Sequence, residues 1–400
     1  MPIARRRTLV IFVAIVVAVV LAIAANGLFW FRYLNAYTFE SFVENPFPTD
    51  DRLYPQERVV GAQQPREFPR ANDSDRAINN AALEAAATLA EEADSTSLLV
   101  LHDGVLQLER YWLGAAADRP VYSFSMHKSV VALLIGIALA EGKISNIDEP
   151  LASDPTGWNV ADERSEITIR HALQMNSGLE PMTFPKNPFS KHVRRQIGTD
   201  VAGAALSYQL SNRPGETFEY NGANPTLLVR LLERETGLRY SQYLSEKLWR
   251  PLGNRDAALW LDRPGGLARG ATSLFAVPMD WLRIGEMFRN GGKVDGRQVI
   301  SPEWLRMMIT PSPTNPRYGF LTWLGQESTE ERVLDAFEGF SASMSQPFQA
   351  DDLVFFDGLG GQRVYVVPSY KLVIVRTGVL NSTWEDAVLP NILIEDLQHE

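Results

Sequence analysis

Residues 125 to about 141 read as a helix that is apolar on nearly every face, through Val130, Leu133, Leu134, Ile137 and Leu139. Such a helix cannot lie on a surface and must be enclosed on all sides. The chain therefore has to build a shell around it. With 400 residues, 45% of them hydrophobic, it has enough material for one large two-lobed unit plus appendages.

The rest of the pattern shows how that shell is made. Residues 77–93 are Ala-rich with apolar spacing of three and four, which predicts a helix. Two strand signals come next, at 97–102 and 105–112, joined across Asp103-Gly104, a pair favoured in tight hairpins. The middle is predominantly helical, with segments at 168–176, 201–209, 223–236, 239–248, 278–290 and 302–309. Gly178 and Gly237 stand where helices end on a left-handed residue. Strand signals return at 318–324, 353–357, 362–367 and 371–377, before a last helix at 383–398. Strands at both ends with helices between them predict an α/β protein of the α+β type. One antiparallel sheet is assembled from both chain ends, with flanking helices and an inserted helical lobe. The sheet lobe is expected at about 78–155 and 313–400, and the helical lobe at about 156–312.

The N-terminus sets a different constraint. Arg5, Arg6 and Arg7 precede an uncharged apolar run from Thr8 to Phe31. At about 1.5 Å per residue the run is long enough for a bilayer of roughly 30 Å. Residues 1–33 are read as a membrane anchor or signal, and the basic cluster directs the remainder of the chain to the exterior. A signal peptide cleaved near Ala22, Ala24 and Ala25 is the competing reading, with the same sidedness. Residues 34–77, with Pro46, Pro48, Pro55, Pro65 and Pro69, read as an extended tether or wrap. The domain proper is expected at 78–400.

Several classes of function are disfavoured. A formal charge of -10 argues against a nucleic-acid partner, which requires a basic face. The absence of cysteine excludes thiol catalysis and Cys-based metal sites. The five histidines, at 102, 127, 171, 192 and 399, show no paired metal spacing, and no Gly-x-Ser-x-Gly elbow is present. No metal or cofactor is expected, and the oligomeric state is unreadable.

The chemistry-bearing pattern is Ser125-Met126-His127-Lys128-Ser129. A serine at a helix start and a lysine three residues on share a face, so the amine reaches the hydroxyl. Burial lowers a lysine's proton affinity, and the helix N-terminus favours a developing alkoxide. A Ser-x-x-Lys arises about once by chance in a chain of this length, with the serine then a simple N-cap. Here it opens the fully apolar helix, where a lysine is otherwise costly. His127 lies about 200° round the helix from Ser125 and is read as wall rather than base. Next, Pro214-Gly215-Glu216-Thr217-Phe218-Glu219-Tyr220-Asn221-Gly222 offers a phenol just before a helix. Alone it is an ordinary buried tyrosine, but beside a lysine it can relay a proton. Third, Gly358-Leu359-Gly360-Gly361-Gln362 starts a strand along which a substrate can lie against the backbone. The amides of Ser125 and Gln362 are candidates for an oxyanion hole, and Asn221, Gly222, Leu359, Gly360 and Gly361 for substrate contacts.

These motifs in this order resemble the class C beta-lactamase-related, penicillin-recognising serine hydrolases, most nearly the branch containing 6-aminohexanoate-dimer hydrolases. The likeness runs from about residue 78 to the end and includes Met175-Asn176-Ser177-Gly178-Leu179 and Leu248-Trp249-Arg250-Pro251-Leu252-Gly253. The resemblance implies a beta-lactamase/transpeptidase-like fold and a small-molecule acyl substrate. It assigns nucleophile to Ser125 and proton carriage to Lys128 and Tyr220. Two departures bear on substrate. Gly222 stands where penicillin-active relatives keep an asparagine, and Leu359-Gly360-Gly361 replaces their Lys/His, Thr/Ser, Gly triplet. Arg376-Thr377-Gly378 mimics that triplet, but too near the chain end, and reads as structural. The expected protein is a membrane-anchored amidase or esterase. A D-Ala-D-Ala-type peptidase or weak beta-lactamase, and a non-catalytic sensor of cell-wall fragments or beta-lactams, are the alternatives.

Overall fold

The computed structural model describes residues 11–17, 19–20, 26–38, 54–152, 154–182, 187–325, 332–333, 341–342, 344–379 and 384–399. Its labelled elements are α1 (Gly27–Thr38), β1 (Gln56–Val59), α2 (Asn80–Glu92), β2 (Ser95–His102), β3 (Val105–Tyr111), β4 (Val121–Tyr122), α3 (Met126–Ala140), α4 (Lys191–Ile197), α5 (Ala223–Thr236), β5 (Ala257–Trp260), β6 (Leu274–Ala276), α6 (Pro278–Arg289), β7 (Trp323–Leu324), β8 (Val354–Gly358), β9 (Gln362–Val367), β10 (Leu372–Gly378) and α7 (Val388–Gln398).

The central sheet has the order β3-β2-β10-β9-β8-β7 and is antiparallel throughout. The N-terminal hairpin β2–β3 joins the C-terminal strands where β10 lies against β2, Ile374 opposite Val100. The hairpin turns on Asp103 and Gly104, with φ of 46° and 78°, the left-handed pair that suits right-twisted strands. Residues of β2, β9 and β10 are buried almost without exception, because helices cover the sheet: α6 lies on β2, β9 and β10, and α3 on β8 and β9. Helix α3 is enclosed as its sequence requires, every residue from Met126 to Ala138 being buried. It packs on α5 on one side and Trp304 on another, whose indole Nε1 donates to the Ala132 carbonyl at 3.0 Å.

Several boundaries differ from the sequence reading. The 318–324 strand shrinks to Trp323–Leu324, with Tyr318 bridging Trp323 across a tight turn. The 239–248 helix divides into Tyr240–Leu244 and a wider π-turn at Ser245–Trp249. The last helix starts at Val388, and 380–383 lies outside the described residues.

A second sheet, β1-β5-β6-β4, was not foreseen from sequence. Its edge strand β1 comes from the 34–77 stretch, where Gln56 to Val59 pair with Trp260 to Ala257. The described part of that stretch therefore wraps the domain rather than spacing it, while 39–53 lies outside the described residues. The boundary at 33 also falls inside a helix. α1 continues to Thr38 and packs on α4 through Phe29, Val193 and Ile197. Arg32 is buried, donating through Nη1 to the carbonyls of Ile197, Gly198 and Asp262 at 3.2, 3.0 and 2.7 Å. Among the described residues no helix is long and apolar enough to cross a membrane. Much of the Thr8–Phe31 run, namely 8–10, 18 and 21–25, lies outside them.

Gly136 marks the tightest approach on α3: a β-carbon there would stand 2.2 Å from the Trp304 ring. Gly136→Val is expected to destabilise the fold by about 2–3 kcal/mol, since overpacking outweighs any gain in helix propensity. Chemical denaturation measures this, and an unchanged midpoint would contradict the α3–Trp304 packing.

Candidate active site

The site is built outward from the entry to α3. Strand β4 pairs with β6, Tyr122 opposite Phe275. Ser123 continues the pairing, its N–H donating to the Leu274 carbonyl at 3.0 Å and its hydroxyl to the Thr272 carbonyl at 3.0 Å. Phe124 then takes a left-handed φ of 47°, unfavourable for a residue with a side chain. Its ring meets Tyr122 edge-on at 4.5 Å, in a cluster with Tyr54, Trp260 and Phe275 that holds the bend. The reversal delivers Ser125 to the helix start. Between Val121 and Ala138, Ser125 is the one residue that is not buried.

Although Ser125 occupies the N-cap position, its hydroxyl makes no cap hydrogen bond. Lys128 Nζ lies 2.5 Å from Ser125 Oγ instead, and donates to the Ala271 carbonyl at 2.9 Å. Lys128 is 3% exposed. Burial foremost, and the Arg195 guanidinium next, lower its pKa to about 7, with Asp357 opposing. A neutral amine in contact with a hydroxyl at a helix N-terminus can accept that hydroxyl's proton.

Tyr220 reaches the site from the loop preceding α5. Lys128 Nζ lies 4.8 Å from the centre of its ring. The ring is buried, edge-on to Tyr318 at 6.2 Å and tilted against Trp323 at 5.9 Å. The Lys128 amine thus lies beside both the Ser125 hydroxyl and the ring of Tyr220, which is far from them in the sequence.

The glycine turn arrives from the sheet. Gly358, closing β8, lies so near Ser123 that a β-carbon would be 2.5 Å from its carbonyl oxygen. Gly360 and Gly361 both have φ of 76°, which lets the chain reverse within three residues into β9. Arg376 underpins the reversal, donating through Nη1 to the Gly360 carbonyl at 2.7 Å while its guanidinium stacks 4.4 Å from Trp384. Arg376-Thr377-Gly378 is thus committed inside the sheet, as its position near the chain end suggested. Leu359 packs, half-buried, on the Phe124 aromatic cluster. The Gln362 side chain is tied to Gly378, donating to its carbonyl at 2.5 Å and accepting from its N–H at 3.0 Å, leaving the backbone as what Gln362 can offer a substrate.

Asn221, expected among the substrate contacts, has its side chain engaged within the protein. It is fully buried, donates through Nδ2 to the Glu180 carbonyl at 2.7 Å and accepts from the Ala223 N–H at 2.8 Å. Its amide group is used to fix the start of α5. His127 points into the lobe, hydrogen-bonded to the Tyr240 hydroxyl at 2.9 Å, and burial pushes its pKa down to about 3. Among the described residues no group of three or more His, Cys, Asp or Glu could hold a metal ion. Arg195 and Asp357, the two charges acting on Lys128, escaped the sequence reading, because each is an isolated charge whose relevance exists only in three dimensions.

Known proteins share both the sequence pattern and the architecture. The chain is 27% identical over 312 residues, 74% of each protein, to the 6-aminohexanoate-dimer hydrolase of Paenarthrobacter ureafaciens. Over 124 residues, 30% of this chain and 29% of the other, it is 35% identical to the monacolin J acid methylbutanoyltransferase of Aspergillus terreus. A solved structure from Bacillus anthracis, provisionally described as a 6-aminohexanoate-dimer hydrolase, superposes with a TM-score of 0.72 at 16% identity, covering 91% of this chain and 95% of that one. The beta-lactamase family model matches residues 82–394, and the chain belongs to that family of serine hydrolases.

Proposed function

We propose that this protein hydrolyses small linear amides or esters through an acyl-enzyme on Ser125. The observation that carries this reading is the desolvated Lys128 amine 2.5 Å from the one solvent-accessible hydroxyl of its segment. Ser125 Oγ attacks the substrate carbonyl as Lys128 Nζ takes its proton. The backbone N–H groups of Ser125 and Gln362 receive the developing oxyanion, a contribution worth about 3–4 kcal/mol per donor in such sites. The proton then passes by way of Tyr220 to the departing amine or alcohol. Water adds to the ester carbonyl, its proton leaves by the same route, and Ser125 is regenerated. The similarity to a 6-aminohexanoate-dimer hydrolase supports an amide substrate. The N-terminal reading adds a place: an anchor in the run ahead of α1 holds the catalytic unit at the outer face of the membrane, supported by Arg5–Arg7 and the uncharged residues after them.

Ser125→Ala is expected to abolish labelling by an activated-serine probe and to lower kcat by at least about 10³-fold. Full labelling of the variant would remove the assignment. Because Lys128 accepts a proton only when neutral, kcat/KM on a neutral ester should rise with pH through about 7 and level off above it. A profile flat from pH 5.5 to 8.5 would show that Lys128 is not the base.

Gly222 brings no amide side chain to the pocket, and Leu359-Gly360-Gly361 brings no cation or hydroxyl. A chromogenic cephalosporin should therefore be turned over with a kcat/KM ~100-fold or more below that of p-nitrophenyl butyrate. Comparable rates would favour a beta-lactamase or peptidase. Full-length protein should sediment with membranes and be released by detergent but not by 1 M salt; release by salt alone would contradict the anchor.

A further inference from the structure

Gly222 lies two residues beyond Tyr220, and the space a side chain there would take is filled by another residue. A β-carbon on Gly222 would stand 2.6 Å from Nη1 of Arg195. Helix α4 carries this arginine, and α4 is fixed from behind by Arg32 of α1, which donates to the carbonyls of Ile197 and Gly198. Among the described residues the polar contacts of the Arg195 guanidinium are with neutral atoms. Nε donates to the Tyr208 hydroxyl at 3.2 Å, and Nη2 rests 2.8 Å from Met182 Sδ, the sulfur that also faces the Gly222 N–H at 3.2 Å. No carboxylate among the described residues pairs with it. The side chain is only half-buried, so it stays open to a ligand.

An arginine that carries a permanent charge, sits beside the catalytic pocket and has neutral contacts is well suited to an anionic partner, and its planar fork fits a carboxylate in two-point fashion. Asp357, the carboxylate acting on Lys128, is paired with Arg363. We infer that Arg195 determines substrate specificity by binding a carboxylate carried on the amide or ester that Ser125 cleaves. The inference rests on the hydrolase reading above and narrows its substrate to monoanionic acyl compounds. Gly222 leaves the guanidinium its place: a side chain there would have to displace it.

Glutaric acid mono-p-nitroanilide and its uncharged methyl ester separate the two ideas. The full-length enzyme should favour the acid by ~10-fold or more in kcat/KM, mainly through KM, as for one charge-assisted hydrogen-bonded pair. Salt at 1 M should shrink the preference. Arg195→Gln should bring the ratio of the two substrates to about one, and Arg195→Lys should keep an intermediate ratio. The wild-type enzyme gives an independent readout, because pentanoate should compete with the methyl ester whereas pentanamide should not. A preference for the acid that survives in Arg195→Gln, or equal competition by pentanoate and pentanamide, overturns the inference and leaves the hydrolase reading intact. No Ser125-dependent turnover of either substrate by the wild type overturns both.

Discussion

A lysine ammonium deprived of water at the foot of a buried helix is the interaction on which the rest of the structure depends. An amine in solvent keeps its proton at neutral pH and cannot take one from serine. In the interior of α3 the charged form loses hydration, and the Arg195 charge nearby opposes it further, bringing the pKa to about 7. A lysine so placed costs stability unless its polar atoms are satisfied, and here the Ser125 hydroxyl and the Ala271 carbonyl satisfy them. The same burial that makes the lysine costly makes it reactive.

Enclosing that helix explains the architecture around it. The sheet needs strands from both chain ends because the helical lobe between them must cover the free sides of α3. The small second sheet then sets the approach to Ser125: β4 runs along β6 into Phe124, whose unfavourable φ is maintained by aromatic packing against Tyr122. Sheet, bend and helix together leave Ser125 open while its neighbours are closed. The exposure of Ser125 is thus a product of three elements and of no single motif.

The N-terminal segment shows how packing decides between two readings that composition leaves open. Proline and charge make 34–77 an extended tether or wrap, and the described part is the wrap: Val59 is fully buried and β1 completes an edge of the second sheet. Arg32, which composition places beside an anchor, turns inward and holds the carbonyls that end α4. The elements nearest the N-terminus are therefore mechanically connected to the helix that bears Arg195.

Local patterning was sufficient for whatever depends on neighbours in the chain. The apolar run of α3, the Asp103-Gly104 hairpin, the glycine after α5 and the three-residue spacing of Ser125 and Lys128 all follow from helix and strand periodicity, so they could be read directly. The partner of Asn221 could not be read, because a side-chain amide looks the same in sequence whether it meets a ligand or a backbone carbonyl, and only the fold brings Glu180 to it. The second sheet was invisible because its strands are two to four residues long and its two outer strands, β1 and β4, find their partners more than a hundred residues away. Arg195 was invisible for a related reason: one arginine among several in a segment without periodicity acquires meaning only when it occupies the space left by Gly222. Sequence determined which residues have the chemistry to react, since spacing along a helix is a local property. The tertiary structure decided which charges and surfaces surround them, since proximity between distant segments is set by packing and by nothing in either segment alone.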